Sequence, residues 1–336
     1  MQNIKKLPLW SKILIGTAIS ILIIILIGYS FINTKINKIK RSSETEKTPS
    51  TEEVYELNSE NNNDVNESGL NDIVWDDDED VIANKEVVNI LLIGQDRRPD
   101  ENIARSDSMI IASINKRENT IKLTSLMRDM YVQIPGHNDN KINAAYALGG
   151  MELLDDTIEK NFLIPIDGNI EVDFEQFTKI IDKIDGIDIY INEEEAEYLN
   201  ANTDWNLSAG ICHMTGDIAL KYSRIRYVGN DDYERTERQR EVLSAVFNEM
   251  KDSSLPTILG LAGQIFPLIT TDLSNSEIIG YITKIISLGI TEVETYRIPA
   301  DGQFEIARVN EMSVLLPDLS GNRELLKEYI WGNSEN

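Results

Sequence analysis

Apolar residues fall into two kinds of stretch along this chain. The first is an uncharged run from Ile13 to Ile32, dominated by Ile and Leu. At about 1.5 Å per residue, a helix of that length covers about 30 Å, the hydrocarbon thickness of a bilayer. The run continues through Gly28, Tyr29, Ser30 and Phe31 into basic residues, with no small-residue cleavage site. It therefore reads as one uncleaved transmembrane anchor, residues 13–32, behind a short segment, residues 1–12. Lys5, Lys6 and Lys12 precede it, and Lys35, Lys38, Lys40 and Arg41 follow it, so charge bias alone leaves the orientation open.

The second kind is short and periodic. Val87 to Gly94 is a β-branched run ending in glycine, and it predicts a buried strand. Further strands are predicted at 109–114, 120–126, 131–134, 186–191 and 293–298. Amphipathic spacing predicts helices at 143–162, 174–184, 233–250, 274–288 and 310–329. The alternation predicts an α/β domain over 87–336, layered α-β-α around a mixed central sheet. No internal repeat or proline-rich hinge divides it.

Charge separates the same segments. Residues 1–41 carry seven basic residues and no acid, 42–86 carry a net −13, and the remainder carries −19, for a total of −25. The stretch 33–86 is rich in Glu, Asp, Asn and Ser and too poor in apolar residues to offset ordering, so it predicts a flexible acidic tether. Asp76, Asp78 and Asp80 alternate like the start of a calcium loop. Val81 stands where the turn glycine belongs and Val87 where the bidentate Glu belongs, which argues against calcium. The overall charge repels nucleic acid.

Several chemistries are absent from the sequence. It has no phosphate loop, dinucleotide fingerprint or nucleophile elbow. One cysteine, Cys212, excludes an internal disulfide framework and a multi-Cys zinc site. Cys212 and His213 are adjacent and on a helix would point about 100° apart, so they read as a core thiol beside a surface imidazole. His137 follows Pro135-Gly136 in a turn and reads as solvated.

Five polar segments remain. Gly94-Gln95-Asp96-Arg97-Arg98 puts Asp96 just past the end of a buried strand, at the usual mouth of an open α/β sheet. Arg105-Ser106-Asp107-Ser108 leads into the next strand, so Asp96 and Asp107 reach one sheet edge. There they would either share a hard cation such as magnesium or pair with Arg98 and Arg105. Ser125-Leu126-Met127-Arg128-Asp129 sends Arg128 to the same edge. Lys141 and Asn143 open a helix whose N-terminal amides favour an anion.

The fifth segment is Tyr222 to Arg240, basic within an acidic chain. In an extended segment Arg224 and Arg226 would project to one side. Helical spacing places Arg235 and Gln239 on one stripe with Val242 and Val246. A buried guanidinium needs a partner, and phosphate oxygens suit arginine. Salt bridges to Asp231 or Asp232 would answer the same need.

Taken in order behind one anchor, GQDRR (94–98), RSDS (105–108), SLMRD (125–129), KINAAY (141–146) and RIRY with DYERTERQR (224–240) resemble the LytR-CpsA-Psr family of membrane-anchored cell-wall proteins. The resemblance covers about 150 residues and implies transfer of an anionic glycopolymer, such as wall teichoic acid or capsular polysaccharide, from a polyprenyl diphosphate carrier to peptidoglycan. The domain would stand on the extracellular face of the cell membrane. By the same resemblance Asp96 and Asp107 would hold Mg2+. Arg98, Arg105, Lys141, Arg224, Arg226, Arg238 and Gln239 would bind the diphosphate, and Arg128, Arg235 and Asp232 would be catalytic, with Asp232 either a base or an orienting partner. Glu234 stands where such proteins often have glycine. The family's chemistry needs no nucleophilic side chain: cations stabilise the charge growing on the leaving phosphate. The alternatives are a non-catalytic sensor of polyprenyl phosphates and a membrane-bound transcription regulator. Against the latter, residues 1–12 are too short for a DNA-binding domain and the basic cluster is interleaved with four acids.

Overall fold

The computed structural model describes residues 37, 39–42, 75, 81, 83–95, 106–201, 203–229, 231–309 and 312–332. The expected anchor at 13–32, the rejected calcium loop at 76–80, and Asp96, Arg98 and Arg105 lie outside them. No described helix is long and apolar enough to cross a membrane.

Among the described residues, the central sheet has seven strands. They are β1 (Lys40–Arg41), β2 (Val87–Gln95), β3 (Ser106–Asn115), β4 (Thr120–Leu126), β7 (Gly168–Asp173), β10 (Thr270–Thr271) and β11 (Val293–Ile298), in the order β1-β10-β7-β2-β3-β4-β11. β2 pairs antiparallel with β3 and β3 with β4, while β7 joins β2 and β11 joins β4 in parallel. The sheet is mixed, as its sequence predicts. Three hairpins flank it: β5 (Tyr131–Val132) with β6 (Asn140–Lys141), β8 (Ile187–Ile191) with β9 (Gly210–Met214), and β12 (Phe304–Val309) with β13 (Met312–Pro317).

Alternation along each strand feeds two cores. Leu91, Ile93, Met109, Ile111 and Leu126 face α1 (Ile142–Phe162) and α8 (Leu319–Trp331). Val88, Ile90, Ile110, Ile114, Ile121 and Leu123 face α6 (Leu255–Ile265) and α7 (Asn275–Leu288). A third core lies to the side, where α2 (Phe174–Lys183), α3 (Glu193–Asn200), α4 (Gly216–Ser223) and α5 (Asp231–Lys251) enclose the β8–β9 hairpin. α5 serves two cores: Val242 and Ala245 enter the third, while Leu243 and Phe247 pack against the second.

Capping residues fix several helix starts. Asp173 with Gln176 and Ser274 with Glu277 form complete capping boxes before α2 and α7. α1 is kinked at Gly149-Gly150, where Gly150 takes φ 65°, a left-handed value that glycine adopts without strain.

Four expectations need correction. The helix expected over 310–329 is the strand β13 followed by α8; Pro317 and the cap Asp318, which accepts from the Gly321 amide at 3.2 Å, divide them. Cys212 and His213 lie on strand β9 rather than a helix, so they point to opposite faces, with Cys212 buried and His213 outward against Asp188. The segment around Arg224 is not extended: Arg224 ends α4 with φ −106° and ψ 1°. Finally, Asn37, residues 39–41 and Trp75, assigned to the tether, pack against the folded domain.

Candidate functional site

The carboxyl ends of β2 and β4, the start of β3 and the first turn of α5 meet at one edge of the sheet. Register explains how Asp107 arrives there. Gly94 pairs with Ser108 and Gln95 with Ser106, so Asp107 is the extra residue of a β-bulge. A bulge redirects its side chain out of the ladder and is common beside functional sites.

From the end of β4 the chain makes a tight turn held by backbone bonds. Met127 N donates to Ile298 O, Leu315 N to Asp129 O, and Ile142 N to Met130 O. The turn presents Arg128, whose Nη1 lies 2.8 Å from Asp107 Oδ1 and whose Nε lies 3.6 Å from Asp129 and 3.7 Å from Asp232. The β5–β6 hairpin sets Lys141 opposite Tyr131, and Lys141 Nζ reaches Asp129 at 2.6 Å. Asp129 therefore joins Arg128 to Lys141. The sequence displayed this residue within SLMRD, but only the hairpin shows what it does.

Asp232 sits in the first turn of α5, where a carboxylate suits the helix dipole. It accepts from Arg235 Nη2 at 2.9 Å and lies 3.8 Å from Arg226 Nε. One carboxylate thus draws in three guanidiniums. The described cluster contains Arg128, Lys141, Arg226 and Arg235 against Asp107, Asp129 and Asp232, one positive charge in excess.

Arg235 is buried, with 3% exposure. Burial is the main reason its pKa drops to about 10; Asp232 opposes the drop, and Arg128 and Arg226 add to it. For Arg128 burial also favours the neutral form, but Asp232, Asp107 and Asp129 outweigh it and hold the guanidinium above its ordinary value. The Nε groups of both arginines are buried without a hydrogen-bond acceptor. Buried, unsatisfied cationic donors beside a helix N-terminus are the chemistry of an anion site.

Other expected site residues have the following surroundings. Arg224 is exposed and its guanidinium stacks 4.3 Å from the centre of the Phe174 ring. Gln239 follows Arg235 by one turn and is half-buried. Arg238 is turned toward the third core, on one stripe with Val242 and Ala245. It donates to Glu195 at 2.7 Å, to Glu234 at 2.9 Å and to the carbonyls of Ile225 and Val228. Its expected place on the diphosphate is thereby corrected: those partners occupy its guanidinium, and it pins the loop that carries Arg226. Glu234, which stands where such proteins often have glycine, is one of its partners. A buried arginine absent from the expectation, Arg240, donates to Ser125 Oγ at 2.8 Å.

On the opposite side of the sheet, apolar strand residues face the core under α6 and α7. Leu92, Ala112, Ile170 and Val172 belong to strands β2, β3 and β7 and point at this core, yet all remain half-buried. The sequence matches the LytR_cpsA_psr family over residues 29–327. The chain belongs to that family.

Within the LytR_cpsA_psr family, this chain is 34% identical over 224 residues to Polyisoprenyl-teichoic acid--peptidoglycan teichoic acid transferase TagU of Bacillus cereus, spanning 66% of this chain and 71% of the relative. It is 29% identical over 254 residues to Regulatory protein MsrR of Staphylococcus aureus, spanning 74% and 76%. The fold is similar to that of the LytR-CPS2A-psr family protein YwtF (TagT) with bound octaprenyl pyrophosphate lipid. The TM-score is 0.57 at 26% identity, over 73% of this chain and 91% of the other.

Proposed function

We propose that this member of the family transfers an anionic glycopolymer, of the wall teichoic acid or capsular polysaccharide type, from a polyprenyl diphosphate carrier to a sugar hydroxyl of peptidoglycan. The carrying observation is the convergence of Arg128, Arg226 and Arg235 on Asp232, with two buried Nε–H groups left without an acceptor. A diphosphate supplies what those donors lack. The name of the TagU relative and the octaprenyl pyrophosphate on the TagT neighbour support the same class of donor.

In the reaction the sugar hydroxyl oxygen forms a new P–O bond to the transferred phosphorus as the P–O bond to the lipid phosphate breaks; the hydroxyl proton passes to solvent, and the departing lipid monophosphate carries the charge. Preorganised arginines stabilise that charge without reorganising. Asp232 holds their guanidiniums together against mutual repulsion, an orienting role. Asp107 is the described carboxylate that the family resemblance offers to a hard divalent cation, and its Oδ1 meets Arg128; Asp96 lies outside the described residues. With Asp96 it would hold Mg2+, which when bound neutralises diphosphate charge. The apolar face under α6 and α7, where Leu92, Ala112, Ile170 and Val172 stay half-buried, suits the isoprenoid tail. With residues 13–32 as anchor, the domain works at the outer face of the cell membrane.

The test is turnover by the full chain in nanodiscs, given defined polyprenyl diphosphate donors and glycan acceptors. Transfer by the wild type that Arg226→Ala abolishes supports the reading. Donor binding without transfer would assign the site to a sensor, and absence of donor binding would overturn the diphosphate assignment.

A further inference from the structure

The strand that follows the apolar run is part of the sheet. Lys40 and Arg41 pair in parallel with Thr270 and Thr271, making β1 the edge strand. Ile39 is buried in the core beneath α6 and α7, at 6% exposure. Arg41 donates to the Leu273 carbonyl and to Asn275, and Asn275 donates to Asn37 at 2.6 Å. Farther along, Trp75 Nε1 donates to Asp139 at 2.8 Å and its ring stacks on Tyr131. The chain thus joins the domain at residues 39–41, touches it again at Trp75, and starts β2 at Val87.

We propose that the β1–β10 edge together with helix α6 is the side of the domain that rests against the bilayer, and that 43–86 is an excursion from a docked strand, not the spacer that sets the height of the site. The proposal rests on residues 13–32 being the anchor. Only residues 33–38 separate Ile32 from Ile39. Fully extended at ~3.6 Å per residue they reach about 25 Å, whereas a spacer of residues 33–86 would reach on the order of 190 Å.

Surface chemistry agrees with that placement. Residues 253–271 contain no charged residue in a chain of net charge −25. The exposed positions on α6 include Pro256, Thr257, Gly260 and Gln264. The charges between the apolar run and the end of β1 are Lys35, Lys38, Lys40 and Arg41, all basic. An anionic leaflet repels most of this acidic domain and accepts this edge. The apolar sheet face with the half-buried Leu92 and Ile170 lies under the same helix. Docking therefore brings the route proposed for the lipid tail next to the lipid.

The test uses the full chain in nanodiscs of phosphatidylcholine and phosphatidylglycerol that carry spin-labelled headgroups. Cys212→Ser removes the native thiol, and a fluorophore is attached at Gln264→Cys on α6 or at Thr295→Cys on β11, the opposite edge. Quenching is expected to be several-fold stronger at position 264. A Gly/Ser insertion between Thr34 and Lys35 is expected to erase the difference, while deletion of Thr48 to Asp72 leaves it unchanged. Equal quenching at the two positions, or a deletion that changes it as the insertion does, overturns the proposal. Alkaline carbonate extraction separates the two readings: a chain that leaves the membrane defeats the anchor, and a chain that stays but shows equal quenching defeats only the orientation.

Discussion

Arg128 Nη1 lies 2.8 Å from Asp107 Oδ1, a contact that spans from the end of β4 to the bulge in β3. Both side chains are partly exposed, at 21% and 27%, so the pair is worth little as a stabilising element. Its value lies in where it holds the guanidinium. Arg128→Ala is expected to lower single-turnover transfer by about 10²–10³, as loss of one preorganised donor to a developing charge does. The unfolding midpoint should barely move. A near-normal rate would place the reacting phosphate elsewhere.

Asp232 makes a different demand, because three guanidiniums share it. Asp232→Asn keeps the shape and removes the charge that holds the arginines in place. The site becomes more positive, so affinity for the lipid diphosphate should hold or rise. The turnover number should fall by about 10², the cost of a displacement near 1 Å. Steady-state kinetics on the variant separate the two effects. A weaker KM with an unchanged turnover number would make Asp232 a substrate contact instead of an orienting anion.

Arg238 looks like its neighbours in the sequence and behaves oppositely in the fold. Its ion pair with Glu195 is almost fully buried, with side-chain exposures of 4% and 8%. Arg238→Ala strands that carboxylate and two loop carbonyls, so it should destabilise the domain by about 3–5 kcal/mol. Urea unfolding measures this directly. A variant of full stability that had lost only transfer would return Arg238 to the substrate.

The legible part of this molecule is the part governed by local period. Val87 to Gly94 could hardly be anything but a buried strand, and α1, α2, α5 and α7 begin within about two residues of their expected starts, the usual uncertainty of a helix end. Met312, Val314, Leu315 and Leu316 fit either period, and the helix expected there was a strand for its first half. Arg128 could be singled out because a strand end and the family motif agree on it, and Arg226, Asp232 and Arg235 because the motif contains them. Arg238 could not be separated from Arg235, since only the position of the third core decides which of two arginines on a helix points to protein. The backbone at Arg224 differs from the expectation because a helix C-terminus stands where an extended segment was assumed. The Asp129–Lys141 link and the bulge at Asp107 depend on cross-strand register, which the chain does not display in one dimension.

A last expectation concerns pH. Asn169 donates to Asp155 Oδ2 at 2.6 Å and to Asp272 Oδ2 at 2.8 Å, bridging two carboxylates with one amide. Burial pushes the Asp155 carboxyl up to about 8; the Asn169 hydrogen bond pulls it back, and Asp272 and Glu159 push it further up. The folded state therefore holds a proton that the unfolded chain has released. Stability from this group is complete below about pH 4, the unfolded value, and is lost as pH rises through about 8. Asp155→Asn keeps an acceptor for Asn169 and removes the charge. Its melting temperature should match the wild type near about pH 5 and exceed it near about pH 8.5, a shift of a few degrees for about 1 kcal/mol in a domain of this size. Parallel melting curves for the two proteins across that range would mean that Asp155 is already ionised at neutral pH, with its charge compensated in the folded state.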